Sequence, residues 1–441
     1  VAAFEPVRFA QLTDVGVKRS HNQDACAANP AVDAAGFQAH GHIFVVADGM
    51  GGHAVGEKAS AKAVRDIPFL YSKHAKDGVI PAIRRAFQET NAGIYAIGQQ
   101  NPEFRGLGTT STALIIRPEG AWIGHVGDSR AYRIRRGQAE QLTFDHSWVW
   151  EIARRQGVDP DELGDFKKNV IIRSLGPDPE VEVDIEGPHP VLPGDAFLLC
   201  SDGLTGVVSP QEVGAVVTAL PPEEAVRFLV HLANLRGGPD NITVMIVQVP
   251  DSNSGTPNTK RSGSGILAKL WKAWTRRVSW PFTLLGVGCA IAVLTLLMQL
   301  NAVPGAMLFF ILAALLILAG LIGLIVHLQK EEPASAIELA TEAPRELHIY
   351  KKHDCTITPE LAEKFAQTES TLLEGMRGQG VPADFDSHSR LVDAAETEAA
   401  KNDTLGRFRA RCASLLFLAE AFHKARHKQE SFQPSWTPST K

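Results

Sequence analysis

The chain lacks several features that would have assigned it to a class at once. It has no surplus of positive charge: 44 Lys and Arg stand against 49 Asp and Glu over 441 residues, a formal net charge of -5. Nucleic acid is therefore not the expected partner, because phosphate backbones select basic surfaces. Cysteine is scarce. The five, Cys26, Cys200, Cys289, Cys355 and Cys412, are scattered without a CxxC pair or a metal-ligand spacing. That pattern excludes a disulfide framework and a zinc site, and the cysteines read as small core residues in a reducing compartment. The opening VAAFEPVRFAQLTDVG has no charged n-region followed by an apolar h-region, which predicts no secretory signal and a first domain in the cytosol. Disorder is excluded as well, since 44% hydrophobic residues can fill one large domain and a smaller one.

What is present centres on Ile43 to Ser60, IFVVADGMGGHAVGEKAS. An apolar run of strand type stops on Asp48-Gly49, and a glycine-crowded turn precedes a helical pattern that opens near Glu57. Glycines beside a surfacing carboxylate let backbone approach a bound ion or phosphate, because no Cβ stands in the way. Similar junctions recur at Asp128, Asp202 and Asp240. Before the central run, Val7 to Ala27 reads as a strand, a turn at Gly16 and a second strand carrying Arg19, Gln23 and Asp24. After it come two covering helices (the second from about Val79 to Ile97), a hairpin around Pro118 to Gly120, and a short helix from Ser147 to Gln156 that Asp145 is placed to cap. His146 reads as a structural hydrogen-bond partner. Residues 157 to 180 are irregular. Two helices then span Pro210 to Leu220 and Glu223 to Arg236, and Asp240-Asn241 precedes a last strand. Strands alternating with paired helices predict an α+β fold with antiparallel sheets and helices outside.

Composition collapses at 251–265 into a flexible linker, DSNSGTPNTKRSGSG, which bounds a domain at 1–250. Residues 266–281 are basic and tryptophan-rich, suited to a membrane interface. Phe282 to Leu300 and Met307 to Val326 are uncharged apolar stretches, each near the roughly 20 residues that span a bilayer, so 282–326 is expected to be a two-helix transmembrane hairpin. Lys269, Lys272, Arg276, Arg277 and Lys330 flank the pair, which predicts that both soluble regions face the cytoplasm, on the inner membrane. Residues 327–441 read as a spacer and a helical tail. Leu361, Phe365, Leu372 and Met376 share one face, and Leu405, Phe408, Cys412, Leu415, Ala419 and Phe422 share another. These faces suit an antiparallel pair packed on itself, or a homodimer through the tail.

Acidic residues gathered from distant strand ends cannot stay ionised together without a cation. Hard oxygen ligands call for Mg²⁺ or Mn²⁺, and two such ions lower the pKa of a water and clamp a phosphoryl group. The implied chemistry is metal-assisted phosphate hydrolysis.

The ordered set RSHNQDA, VVADGMGGHAVGEKAS, GLGTTSTA, GHVGDSRAYRIRRG, LTFDHSWV, LLCSDGLTGVVS and GGPDNITV closely resembles the bacterial type 2C, metal-dependent Ser/Thr protein phosphatases over roughly residues 7 to 249. The resemblance implies a four-layer α-β-β-α sandwich of two antiparallel sheets with the metal centre at one end. It implies that Asp48 bridges two ions, that Gly49 adds its carbonyl oxygen, that Asp202 and Asp240 hold the first ion and that Asp24 supports bound water. Arg19 would grip the substrate phosphate, Asp128 would serve a third ion, and Thr109 and Thr110 would be structural. The nucleophile would be a hydroxide activated by the metal pair, with no covalent intermediate. Three positions depart from the family pattern: Gln23 replaces Glu at the second metal, Gly206 replaces an Asp near the third, and Met50 replaces a His of eukaryotic members. His53 reads as structural. The partners implied are phosphorylated proteins, with eukaryotic-like Ser/Thr kinases or their substrates among them, and membrane lipid. A non-catalytic phosphoprotein-binding membrane scaffold and a phosphatase for a small phosphoester are the rival readings.

Overall fold

The computed structural model describes residues 6–51, 56–163, 170–250, 347–401 and 403–430, with scattered positions between 289 and 319. The chain divides into two compact units, Val1–Ser254 with Leu347–Lys441, and Gly255–Glu346. In the second unit the scattered described positions are helical. The expected linker, interfacial segment and most of the expected hairpin lie outside the described residues, as does His53. Among the described residues no helix is long and apolar enough to cross a membrane.

The first unit is built on two antiparallel sheets. Sheet A runs in the order β1 (Arg8–Asp14), β11 (Ile242–Gln248), β10 (Ala196–Cys200), β7 (Arg130–Arg135), β8 (Gln138–Gln141) and β12 (Lys351–Asp354). Sheet B runs β2 (Asp24–Asn29), β3 (His42–Met50), β5 (Ser111–Arg117), β6 (Gly120–Val126) and β9 (Asp184–His189), with the two-residue β4 (Gly108–Thr109) on the end of β3. The expected hairpin is β5–β6, in register from Ser111↔Val126 to Arg117↔Gly120.

Burial on both faces explains why the central strands β3, β5, β10 and β11 are apolar almost throughout. Phe44 and Val46 of β3, Leu114 and Ile116 of β5, Phe197 and Leu199 of β10, and Met245 and Val247 of β11 meet between the sheets. Their neighbours face outward into helices. Ile43, Val45, Ala113 and Ile115 pack under α2 (Gly56–His74) and α3 (Val79–Gln100), while Leu198, Val244 and Ile246 pack under α6 (Pro210–Ala219) and α7 (Pro222–Leu235). With both faces covered, each large side chain withdrawn from water contributes about 1.5–3 kcal/mol. The expected sandwich of two antiparallel sheets with helices outside is thus the observed architecture.

Two local readings change. The helix α4 (Trp148–Gln156) is capped by Ser147, whose side chain accepts from the Trp150 amide, and not by Asp145, which is engaged by Arg130. The helix α1 (Ala34–Ala39) was not foreseen.

The tail is part of the first unit. β12 extends sheet A by pairing with β8. Three helices follow: α8 (Pro359–Gly378), α9 (Phe385–Ala400) and α10 (Thr404–Glu430). Phe365 of α8 lies with its ring centroid 5.2 Å from Phe228 of α7 and 5.4 Å from Phe408 of α10. Phe365, Phe408, Cys412 and Leu415 join the core above sheet A, so these positions of the tail's apolar faces are covered within the chain, while Leu405 stays exposed. Ion pairs reinforce the seam at Lys364–Glu212 (2.9 Å) and Arg227–Glu420 (2.8 Å).

Candidate active site

Strand direction brings the acidic residues to one end of the sandwich. Asp24 opens β2 and is paired across the ladder with Asp48, near the end of β3. Asp202 opens the single-turn α5 (Asp202–Thr205) just after β10, and Asp240 stands two residues before β11. Asp128 lies in the turn where the chain leaves β6 of sheet B for β7 of sheet A. A strand must surrender its apolar character where it emerges, and these carboxylates occupy that point.

Their backbones are fixed by buried polar neighbours. The Asp48 amide donates to Thr110 Oγ1 (2.9 Å), and Thr109 Oγ1 donates to the Asp48 carbonyl (2.9 Å). Ser201 Oγ donates to Asp24 Oδ2 (2.7 Å) and accepts from the Thr243 amide (3.0 Å). Asn241 Oδ1 accepts from the Gln23 amide, while its Nδ2 donates to the Val15 and His21 carbonyls. Backbone crowding sets the glycines: a Cβ on Gly49 would stand 2.3 Å from the Gly56 carbonyl oxygen, and one on Gly203 would stand 2.0 Å from that of Asn241.

The electrostatics favour a cation. Burial, then repulsion from Asp24, Asp202, Asp128 and Asp240, holds the Asp48 carboxyl well above the usual range. Burial is also the main reason that Asp24 rises to about 7, with Asp202 and Asp240 adding to it against the Ser201 and Thr243 hydrogen bonds. Asp128 and Asp202 are raised by burial and by neighbouring aspartates. One oxygen each of Asp24, Asp128 and Asp202 is buried and receives no hydrogen bond. Orphaned, mutually repelling carboxyl oxygens are the donor set that a hard divalent ion satisfies, so the residues fit the expected metal. Among the described residues no three ligating side chains converge on one point. Asp24 stands opposite Asp48 on the ladder, and Asp202 is among the neighbours whose charge raises the Asp48 carboxyl.

Above this floor opens a cleft of about 540 Å³, lined by Arg19, Asp128, Asp202, Gly206 and Asp240 among others. Arg19 is half exposed, and its Nη2 donates to Asp240 Oδ2 at 2.6 Å. Arg130 chelates Asp145 at 2.7–3.0 Å beside Asp128. His146 Nδ1 accepts from the Gly127 amide (3.0 Å) and its Nε2 meets Asp184 (3.0 Å), the structural role read from the sequence. The polar supports Ser201, Asn241 and Arg130 were not singled out beforehand, and neither were the tail residues Lys351 and His353, which also line the cleft.

Known proteins are similar to this chain over the sandwich. The family model described as Protein phosphatase 2C matches residues 17–234. Protein phosphatase PhpP of Streptococcus pneumoniae is 37% identical over 254 residues, covering 56% of this chain and 100% of that protein. The serine/threonine phosphatase stp of Listeria monocytogenes is 34% identical over 242 residues, 54% of this chain and 93% of its own length. The crystal structure of the Mycobacterium tuberculosis serine/threonine phosphatase PstP/Ppp matches with a TM-score of 0.50 and 30% identity, over 56% of this chain and 100% of that one. The S. agalactiae serine/threonine phosphatase matches at 0.50 and 33%, over 55% and 99%. This chain belongs to the protein phosphatase 2C family, and is an enzyme of the protein phosphatase class.

Proposed function

We propose that the chain hydrolyses phosphoserine and phosphothreonine esters on proteins, with Asp48, Gly49, Asp202 and Asp240 holding two divalent ions, Mn²⁺ or Mg²⁺. Asp24 supports the first ion's water and Asp128 serves a weaker third position. The observation that carries the reading is the delivery of five acidic residues, from separate strands, to one end of the sandwich under a half-exposed arginine. When bound, the ions lower the pKa of a water and neutralise the phosphoryl oxygens. Arg19 supplies planar donors for the phosphate, which suits a guanidinium better than an ammonium. Thr109, Thr110 and Ser201 hold the Asp48 backbone and the Asp24 carboxylate in place. Gln23, a neutral side chain where the family carries a carboxylate, predicts a weaker second ion.

The proposal extends to place and partner. Two uncharged apolar stretches with Trp, Lys and Arg flanks support a two-span anchor in the inner membrane, with both soluble regions cytoplasmic. Substrates are then phosphorylated proteins, with eukaryotic-like Ser/Thr kinases or the proteins they modify as the natural class. The test is release of phosphate from a phosphothreonine peptide by the full chain with Mn²⁺, against EDTA and Asp202→Asn. Activity that neither control abolishes rejects the metal-dependent reading, and no activity in any condition rejects it in favour of a non-catalytic phosphoprotein-binding scaffold.

A further inference from the structure

We infer that the tail strand supplies a positioning residue for the cleft: Lys351 fixes the turn that carries Asp161 to the rim, and so favours protein-borne phosphate esters over small ones. This rests on the phosphatase reading above. β12 is charged, KKHD, as befits the outermost strand of a sheet, and its register is set by Lys351↔Gln141 through Asp354↔Gln138. Backbone hydrogen bonds clamp both ends, from the Tyr350 amide to the Gln141 carbonyl (3.0 Å) and from the Cys355 amide to the Gly137 carbonyl (2.7 Å).

That frame aims one lysine at the cleft. Lys351 Nζ donates to Asp159 Oδ1 (2.7 Å) and Asp161 Oδ2 (2.8 Å) and stands 5.3 Å from the Trp150 ring. Its side chain is only 13% exposed, although Asp161 is 75% exposed. A lone surface pair is worth little. An ammonium shielded from water, held by two carboxylates and an aromatic face, is costly to leave unpaired. The residues so tied are Trp150 of α4, Asp159, which caps the turn Pro160–Glu162, and Asp161 within that turn. Asp161 and Lys351 line the same cleft as Arg19, Asp202 and Asp240. A small phosphate ester resting on the acidic floor has no need of the rim, whereas a polypeptide bearing the phosphate has to cross it.

Three full-length chains decide the matter: wild type, Lys351→Met, which keeps the apolar stem, and Lys351→Arg, which keeps the charge. With Mn²⁺, Lys351→Met is expected to raise KM for a phosphothreonine peptide about fivefold, at the upper end of what an exposed pair supplies because this one is shielded, with kcat/KM for p-nitrophenyl phosphate unchanged and Lys351→Arg near wild type. Amide hydrogen exchange should accelerate at Asp159–Leu163 in Lys351→Met alone, with α10 unaffected. An equal loss on both substrates, or unchanged kinetics on both, overturns the inference. If the wild type is silent toward every phosphoester, the proposed function fails, and exchange at the turn that does not respond to Lys351→Met overturns the tether independently.

Discussion

Arg19 Nη2 donates to Asp240 Oδ2 at 2.6 Å, so the residue expected to grip the phosphate rests on a residue expected to hold a metal. With the guanidinium half exposed, the pair costs little to open. A divalent ion would withdraw the Asp240 carboxylate from Arg19 and leave its fork free for an anion. Arg19→Ala should therefore raise KM for a phosphopeptide and lower kcat/KM by about 10- to 100-fold, the worth of one or two charge-assisted hydrogen bonds. Arg19→Lys should recover little of this, because an ammonium cannot present two parallel donors. Steady-state kinetics give the answer, and a KM unaffected in Arg19→Ala would remove Arg19 from phosphate binding.

Repulsion among the acids predicts an inversion of stability by metal. In EDTA, Asp48→Asn relieves like-charge crowding while the Thr109 and Thr110 hydrogen bonds to its backbone persist. The variant should melt a few degrees above wild type, a gain of about 1–2 kcal/mol. Added Mn²⁺ should raise the wild-type melting temperature and leave that of the variant nearly fixed. Calorimetry with and without the ion measures both. A variant less stable than wild type in EDTA would mean that the carboxyls are not in conflict.

Much of this centre was legible in the residues, for a physical reason. Asp48, Asp202 and Asp240 each stand where an apolar strand must surface, and an unbroken apolar run with an acid at its end or just before its start is visible in one dimension. Thr110 was read as structural through the resemblance, whereas Ser201 and Asn241 were not legible as supports, since a single hydroxyl or amide hydrogen bond leaves no periodic trace. Asp145 misled because a carboxylate ahead of a helix resembles a cap, and only the fold reveals that Arg130, from the adjoining strand, claims it. The strand β12 was hidden by its charges, and α9, FDSHSRLVDAAETEAA, by a polar sequence with few apolar positions.

Ser201 supplies a direct test of those silent supports. It is fully buried and its hydroxyl meets Asp24, the Thr243 amide and the Asn241 carbonyl. Ser201→Ala takes one of the hydrogen bonds from Asp24 and leaves the Thr243 amide without its acceptor, and should cost about 1–3 kcal/mol in denaturant unfolding, with an added loss of Mn²⁺ affinity as Asp24 is held less firmly. Unchanged metal affinity would restrict Ser201 to holding the strands together.

The pH dependence of stability should carry the signature of His125. Burial, and then the neighbouring His146, push its imidazole down to about 3. The neutral ring meets Thr112 through Nδ1 and the Phe144 carbonyl through Nε2. A folded pKa below the unfolded value of 6.5 means that the unfolded chain takes up the proton first. Stability is therefore full above 6.5 and is lost as pH falls from 6.5 toward 3, by about 2 kcal/mol at pH 5. Asp24, raised to about 7, acts with the opposite sign but is common to both chains and cancels in a comparison with His125→Gln. The variant should lose less stability than wild type between pH 7.5 and 5, and parallel losses would rule out His125 as the source.

Phe365 tests whether the tail and the sandwich unfold as one body. Its ring is fully buried between Phe228 of α7 and Phe408 of α10, so it belongs to the core of sheet A as much as to the tail. Phe365→Ala should cost about 3–5 kcal/mol through lost contact and the cavity left behind. The helices that share the cavity also share Arg409 Nε, which donates to the Ala219 carbonyl (2.6 Å), and the Lys364–Glu212 pair. Hydrogen bonds from Arg236 and Lys364 outweigh burial to bring the Glu212 carboxyl down to about 2, which ties the tail electrostatically to the base of α6. A cooperative body transmits the loss, so tryptophan fluorescence from Trp150 and helical circular dichroism should shift to the same lower midpoint in denaturant. If the circular dichroism midpoint falls while the Trp150 signal holds, the tail melts by itself, and its strand cannot be a fixed wall of the cleft.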